Sequence, residues 1–320
     1  MSLHPAWALT LNALVWGTSW WPLRQLAERG LHPLWATAII YAVAVAVILL
    51  LHPRALAQVL RAPVLWVLML AAGTTNAAFN WGVVAGDVVR VVLLFYLMPL
   101  WTVLFARVLL REPITPQAGA RVLLALIGAA VVLWPPGSGW RGVPWPGSLP
   151  DWLGLVGGAS FALNNVMLRR EAGRPPQALA LAMFLGGACI SALLAVLLSV
   201  STSAPASGAA AVPWPPVPQA DSVGLVLVMA ALFLIGNLAL QFGAARLPAN
   251  VTSVVMLTEV VFAAGSAVGL GGGKLNAQAL LGGGLILLAA LLAAVSPSVR
   301  SPPGLPKPTE TAGPPGAARR

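Results

Sequence analysis

The chain is built largely from apolar stretches about 20 residues long, and that length restricts its fold more than any other feature. A bilayer's hydrocarbon is ~30 Å thick and an α-helix rises ~1.5 Å per residue, so one such stretch crosses once. Ten stretches qualify: Pro5–Leu23, Pro33–Leu51, Val64–Val84, Val88–Leu110, Gln117–Trp134, Trp152–Leu168, Ala178–Val200, Val223–Ala244, Pro248–Leu270 and Ala277–Val295. Barrel strands would alternate polar and apolar residues over ~10 positions, and these runs do not. Only 8% of the 320 residues are charged, against roughly 25% in soluble domains. The expected fold is an all-α integral membrane protein with ten transmembrane helices.

The net charge of +10 raises the question of a nucleic-acid partner. The basic residues do not cluster on one face but sit between apolar runs, so no nucleic acid is expected. Their distribution instead orients the chain. With a cytoplasmic N-terminus, Arg54, Arg61, Arg107, Arg111, Arg121, Arg169, Arg170, Arg174, Arg246, Arg300, Lys307, Arg319 and Arg320 lie inside. Arg24, Arg29, Arg90, Arg141 and Lys274 lie outside. The positive-inside bias therefore expects a multi-pass inner-membrane protein with both termini cytoplasmic. Cys189 is the single cysteine and can make no intrachain disulfide. The first run has no clear cleavage site and is expected to be retained.

The two halves resemble each other. A shift of 145 residues carries Pro5-Ala6-Trp7 onto Pro150-Asp151-Trp152 and Leu23-Arg24 onto Leu168-Arg169. A shift of 161 carries Asn76 onto Asn237, Ala78 onto Ala239, Asn80 onto Gln241 and Gly82 onto Gly243. Apolar matches arise by chance; amide on amide and glycine on glycine at one fixed shift do so less. Five helices is an odd number, so a second copy enters the membrane upside down, as in carriers with a site at the repeat interface. The expected organisation is a first five-helix repeat over 5–135, a connecting loop over 136–150, a second repeat over 151–295 and a disordered cytoplasmic tail over 296–320. Ser201–Gln219, rich in Ser, Ala and Pro and without charge, reads as a flexible external loop.

Several short motifs give a family likeness. Trp16-Gly17 sits mid-run, Phe95-Tyr96-Leu97-Met98-Pro99-Leu100 ends an apolar run in proline, and Leu110-Arg111-Glu112-Pro113-Ile114-Thr115 follows it. Leu257-Thr258-Glu259-Val260-Val261-Phe262 lies in the ninth run. With the duplication, these make the chain resemble the drug/metabolite transporter superfamily, specifically its EamA-type ten-helix carriers, over about Ala6 to Ala294. Two departures stand out: Val260 replaces the family's usual proline, and Gly272-Gly273 replaces the second Gly-Glu motif.

The candidate site residues are polar or aromatic groups deep in apolar runs. Glu259 is the only acid in the middle of one; it reads either as a coupling or substrate-contacting charge or as a hydrogen-bonded structural group. Asn76 and Asn80 share a helix face, as do Asn237 and Gln241, and these amides line a cavity or bond neighbouring helices. Asn164 shares a face with Ser160. Trp16 lies too deep to be an interfacial anchor, and Tyr96 flanks Pro99, whose missing N–H makes a kink usable as a hinge or a static bend.

His4, His32 and His52 have no ligand spacing, and no catalytic residues, metal or cofactor are expected. Gly269–Lys274 fails as a phosphate loop because Leu275 stands where Ser or Thr is required. The resemblance implies a non-enzymatic secondary or facilitative transporter that exports small metabolites, amino acids among them, by alternating access. The alternatives are an exporter of cationic compounds or a non-transporting membrane scaffold. Its expected partners are a small-molecule substrate and the bilayer, as a monomer or homodimer.

Overall fold

The computed structural model describes residues 5–111, 113–135, 145–201, 212–244 and 255–295. Glu112, Arg141, Arg246, most of the connecting loop, residues 202–211 of the external loop, the start of the ninth run and the 296–320 tail lie outside the described residues. The described chain is helical: α1 Pro5–Thr18, α2 Trp20–Glu28, α3 Pro33–Leu51, α4 Arg54–Leu60, α5 Pro63–Ala85, α6 Val88–Phe95, α7 Met98–Leu109, α8 Pro116–Leu133, α9 Leu149–Arg170, α10 Pro176–Ser201, α11 Ala220–Ala244, α12 Thr258–Gly269 and α13 Ala277–Val295. Six continuous or nearly continuous segments are long and apolar enough to cross a bilayer: α3, α5, α6 with α7, α8, α10 and α11. Leu50, Leu70, Val108, Leu123, Leu238 and Val261 are exposed on the outer surface, where only lipid offers them an apolar solvent. This is an integral membrane protein.

Proline opens α3, α5, α7, α8 and α9 within their first two positions, where its missing N–H leaves no intrahelical bond unmade. Side-chain caps complete several starts. Asp87 accepts from the Arg90 N–H at 2.9 Å, Thr115 from Ala118 at 3.2 Å and Ser148 from Asp151 at 3.4 Å.

Two runs that read as continuous are broken. The first divides at Ser19, because Pro22 cannot donate to the Thr18 carbonyl and the Ser19 hydroxyl donates back to Trp16 O at 2.8 Å. The fourth divides at Tyr96–Leu97, because Pro99 cannot donate to Phe95 O; Pro99 itself then sits in the first turn of α7. The short helix α4, which buries Ala55 and Val59, falls where the sequence reading had only a loop.

Close approaches fix how the helices run relative to one another. Gly128 of α8 meets Gly282 and Ile286 of α13, while Gln278 donates to the carbonyls of Val131 and Trp134 at 2.7 Å; α8 and α13 are antiparallel. Asn12 and Leu9 meet Gly236 and Gly243, so α1 and α11 are antiparallel. Gly82 meets Leu153 and Gly157 meets Phe79, which makes α5 and α9 antiparallel as well. Gly17 packs on Ala263 and Trp20 bonds Ser266, so α1–α2 runs parallel to α12; Gly154 and Gly158 meet Val91 and Phe95, so α6 runs parallel to α9. These directions gather the helix ends on two faces, one carrying Arg54, Arg61, Arg107, Arg111 and Arg174, the other Arg24, Arg29, Arg90 and Lys274.

The α8–α13 crossing depends on an absent side chain. A Cβ on Gly128 would lie 2.6 Å from Gly282 O and 2.8 Å from Ile286 Cγ1, whereas one on Gly119 of the same helix meets nothing within 4 Å. Gly128→Val should lower the melting temperature of the solubilised protein by several degrees, in keeping with an overpacking cost of about 1–3 kcal/mol. Gly119→Val should leave it within a degree or two; equal effects would remove the crossing from the account.

Candidate functional site

A cavity of about 90 Å³ lies between the helices that meet across the middle of the bundle. A water needs ~10–15 Å³ by this measure, so the space suits several waters or one small organic molecule. Its lining comes from both halves: Asn12 and Trp16 on α1, Tyr41 on α3, Thr75, Asn76 and Phe79 on α5, and Phe95 on α6. Facing these are Phe161 and Asn164 on α9, Met183 and Phe184 on α10, Asn237 and Leu240 on α11, and Met256 with Glu259.

Two aromatic clusters form opposing walls. Trp16 stacks on Phe233 with ring centroids 4.6 Å apart and planes at 12°, and Tyr41 lies against Phe184 at 5.2 Å and Phe233 at 5.7 Å. Across from them Phe95 touches Phe79 at 4.9 Å and Phe161 at 5.2 Å. Gly17, next to Trp16, allows the second half to close in: a Cβ there would lie 2.7 Å from Glu259 O and 2.8 Å from Phe262 Cβ. The Trp16-Gly17 pair thus has a physical reason, a ring for one wall and a gap for the helix that carries Glu259.

Hydrogen bonds hold the amides in place. Asn76 Nδ2 donates to Ala72 O at 2.7 Å, and its Oδ1 accepts from the Tyr41 hydroxyl at 2.6 Å. Asn12 Nδ2 donates to Gly236 O at 2.9 Å, tying α1 to α11. Asn237 Oδ1 accepts from Gln241 Nε2 at 2.6 Å. The Tyr96 hydroxyl approaches Glu259 Oε2 and Met256 O, both at 3.4 Å.

Of the residues expected from the sequence, the structure brings Trp16, Asn76, Asn164, Asn237 and Glu259 to one cavity. Asn80 is not among them: fully buried, it donates to Thr37 Oγ1 at 3.0 Å and so takes the helix-to-helix role. Gln241 braces Asn237 from the next turn, Tyr96 stands behind the wall with its hydroxyl toward Glu259, and Pro99 lies one helical turn beyond, at the α6–α7 break. Asn12, Tyr41 and the four phenylalanines Phe79, Phe95, Phe161 and Phe184 were missed. Asn12 carried a usable signal, being an amide in an apolar run four residues before Trp16 and hence on its face. Phe161 stands 145 positions after Trp16 and could have been found from the repeat shift.

Polar contacts between the halves crowd the face that carries Arg90. Its Nε and Nη2 hold both carboxylate oxygens of Asp151 at 2.6 and 3.0 Å, and its Nη1 donates to Val132 O at 2.7 Å. Asp87 Oδ2 accepts from the Lys274 N–H at 2.9 Å, Val88 N–H donates to Gly272 O at 3.0 Å, and Trp20 Nε1 donates to Ser266 Oγ at 2.9 Å. Arg24 covers Trp20 at 4.9 Å and reaches the Val83 and Gly86 carbonyls. Toward the Arg54 face, among the described residues, a polar contact of this kind is Arg121 Nη1 to Leu292 O at 3.5 Å. The paired guanidinium and carboxylate tie α6 to α9 on the Arg90 side.

Residues 5–134 match the model of the EamA-like transporter family, which with the helical membrane fold supports an assignment to the EamA type of the drug/metabolite transporter superfamily. Members of that family are transporters rather than enzymes. Among solved structures, one described only as the crystal structure of a protein superposes with a TM-score of 0.56 at 20% identity, covering 90% of this chain and 96% of that one. That likeness concerns the fold alone. No curated protein matches the chain.

The site makes a direct accessibility prediction. In a Cys189→Ser background, Leu240→Cys and Met183→Cys should react with a small membrane-permeant thiol reagent, while Asn80→Cys stays protected until the protein is denatured. Mass spectrometry reads the adducts; protection of Met183→Cys and Leu240→Cys would mean the cavity is sealed to solutes.

Proposed function

We propose that this protein is a secondary or facilitative carrier that exports a small metabolite across the inner membrane by alternating access, through ten spans arranged as two inverted five-helix repeats. The observation that carries the reading is the pairing of the cavity lining. Trp16 and Phe161 are related by the 145-residue shift; Asn76 and Asn237, Phe79 and Leu240, and Phe95 and Met256 are related by the 161-residue shift. A site lined by equivalent residues of two copies lies on the axis between them, which is what lets the same residues serve both sides.

The helix contacts support the same arrangement. Exchange of the halves turns the α1–α11 contact into α9–α5, both antiparallel, and α1–α12 into α9–α7, which also pack together. The breaks agree too, since Leu257, the turn before α12, is 161 positions after Tyr96. By the positive-inside bias the Arg54 face is cytoplasmic and the Arg90 face external. The Arg90–Asp151 pair then closes the outward side, and export requires it to part while the cytoplasmic side narrows. The breaks at Ser19 and before Pro99 supply points where a helix can swing without losing a full ladder of bonds. One chain encloses the cavity, so a monomer is sufficient for transport.

Counterflow in proteoliposomes tests this reading. Vesicles loaded with an unlabelled compound should accumulate the labelled form of at least one member of a panel of amino acids, nucleobases and organic amines. Trp16→Ala should cut the initial rate at least ~10-fold if the ring forms one wall of the site. Accumulation of none above protein-free vesicles would favour a non-transporting scaffold.

A further inference from the structure

Resting on the carrier reading, we propose that the group this cavity recognises is a protonated primary amine, carried on a small aromatic or branched apolar body without a carboxylate. The case comes from which hydrogen-bonding atoms of the lining are already engaged. Asn12 Nδ2 donates to Gly236 O, and turning the amide over would set two oxygens against each other at 2.9 Å. Its orientation is therefore fixed, and its Oδ1 is buried with no donor in reach. Asn164, 2% exposed, likewise has an Oδ1 without a donor.

Several other donors of the lining are occupied. Thr75 Oγ1 donates to Ala71 O at 2.8 Å, the Tyr41 hydroxyl to Asn76 Oδ1, and Asn76 Nδ2 to Ala72 O. The lining residues thus carry two idle amide oxygens and one carboxylate, Glu259, while the described lining contains no Lys, Arg or His. An ammonium has three N–H donors, no acceptor and one positive charge, which matches these three acceptor groups in number and in sign. Rings on both walls add favourable cation–π faces.

Other solutes leave something unmatched. A carboxylate meets no cation and faces Glu259, so anions are disfavoured and a zwitterionic amino acid gains at one end and loses at the other. A quaternary ammonium has the charge without the N–H groups, and the Asn12 and Asn164 oxygens stay bare. The cavity of about 90 Å³ restricts the body to roughly one ring or a short branched chain.

Phenethylammonium, its N,N,N-trimethyl analogue, phenethyl alcohol, 3-phenylpropionate and phenylalanine have related bodies and different head groups. Binding to the purified full chain in nanodiscs is measured by calorimetry, and transport by counterflow in proteoliposomes. Phenethylammonium should bind at least ~10-fold more tightly than each of the others, the scale of a charge-assisted bond against a neutral or missing one. Glu259→Gln, close in shape to the native side chain, should remove most of that advantage over phenethyl alcohol, and Asn12→Leu should narrow the gap between primary and quaternary amines.

Equal or tighter binding of 3-phenylpropionate or phenylalanine overturns the proposal, as does an advantage of the primary amine that survives Glu259→Gln. Counterflow of phenylalanine without the amine would keep the carrier and discard this ligand class. Saturable amine binding without counterflow of any compound would keep the ligand class and discard the carrier.

Discussion

An amide or carboxylate carried halfway along a lipid-bathed helix has no water to bond, so it must find a partner inside the protein or cost several kcal/mol. That constraint organises this molecule. Asn12, Asn76, Asn80, Asn164, Asn237 and Glu259 all sit deep in apolar helices, and each is turned away from the surface on which Leu50, Leu70 and Val261 stand. Asn80, whose Nδ2 donates to Thr37 while its Oδ1 has no donor, locks helices together. Asn12, Asn164 and Glu259, which carry an idle oxygen or a charge, belong to the lining of a space where a solute could complete them.

Small residues make such gathering possible. Gly17 lets α12 reach α1, Gly128 and Gly282 let α8 touch α13, and Gly154 and Gly158 bring α9 onto α6. Without hydrophobic pressure between helices in lipid, contact area and backbone approach supply most of the association. The sequence's abundant glycine, 32 residues, is thus a map of helix crossings as well as of turns. At a turn the rule works the other way: Arg111 holds φ 57° after α7, and Gly271 holds φ 73° after α12. A side chain in that region costs about 1–2 kcal/mol, a small local strain that the rest of the packing absorbs.

Much of this was legible in the chain itself. The apolar runs gave helix positions to within a few residues because length and hydropathy are local properties; α3 and α13 coincide with their runs at both ends. The breaks at Ser19 and Tyr96 were harder, since a proline's effect falls four residues before it. Asn76 and Asn237 could be singled out because a repeat shift marks both at once. Asn80 and Gln241 carry the same signal yet stand off the cavity, because one shared helix face spans more than one neighbour and the sequence does not say which neighbour is hollow. Tyr41, Phe79 and Phe95 gave no warning: an aromatic residue in an apolar run looks the same whether it faces lipid, a helix or a cavity.

The account's central claim is that the second half enters the membrane upside down relative to the first, so that both halves expose their arginine-rich connections on one side. Labelling single cysteines at Arg54 and Arg174 with an impermeant thiol reagent in intact cells, against Lys274→Cys as the opposite-face marker, tests it most directly. In a Cys189→Ser chain, Arg54→Cys and Arg174→Cys should both be protected until the membrane is permeabilised, while Lys274→Cys reacts at once. Labelling of Arg54→Cys and Arg174→Cys from opposite sides would contradict the inverted arrangement, and the shared cavity with it.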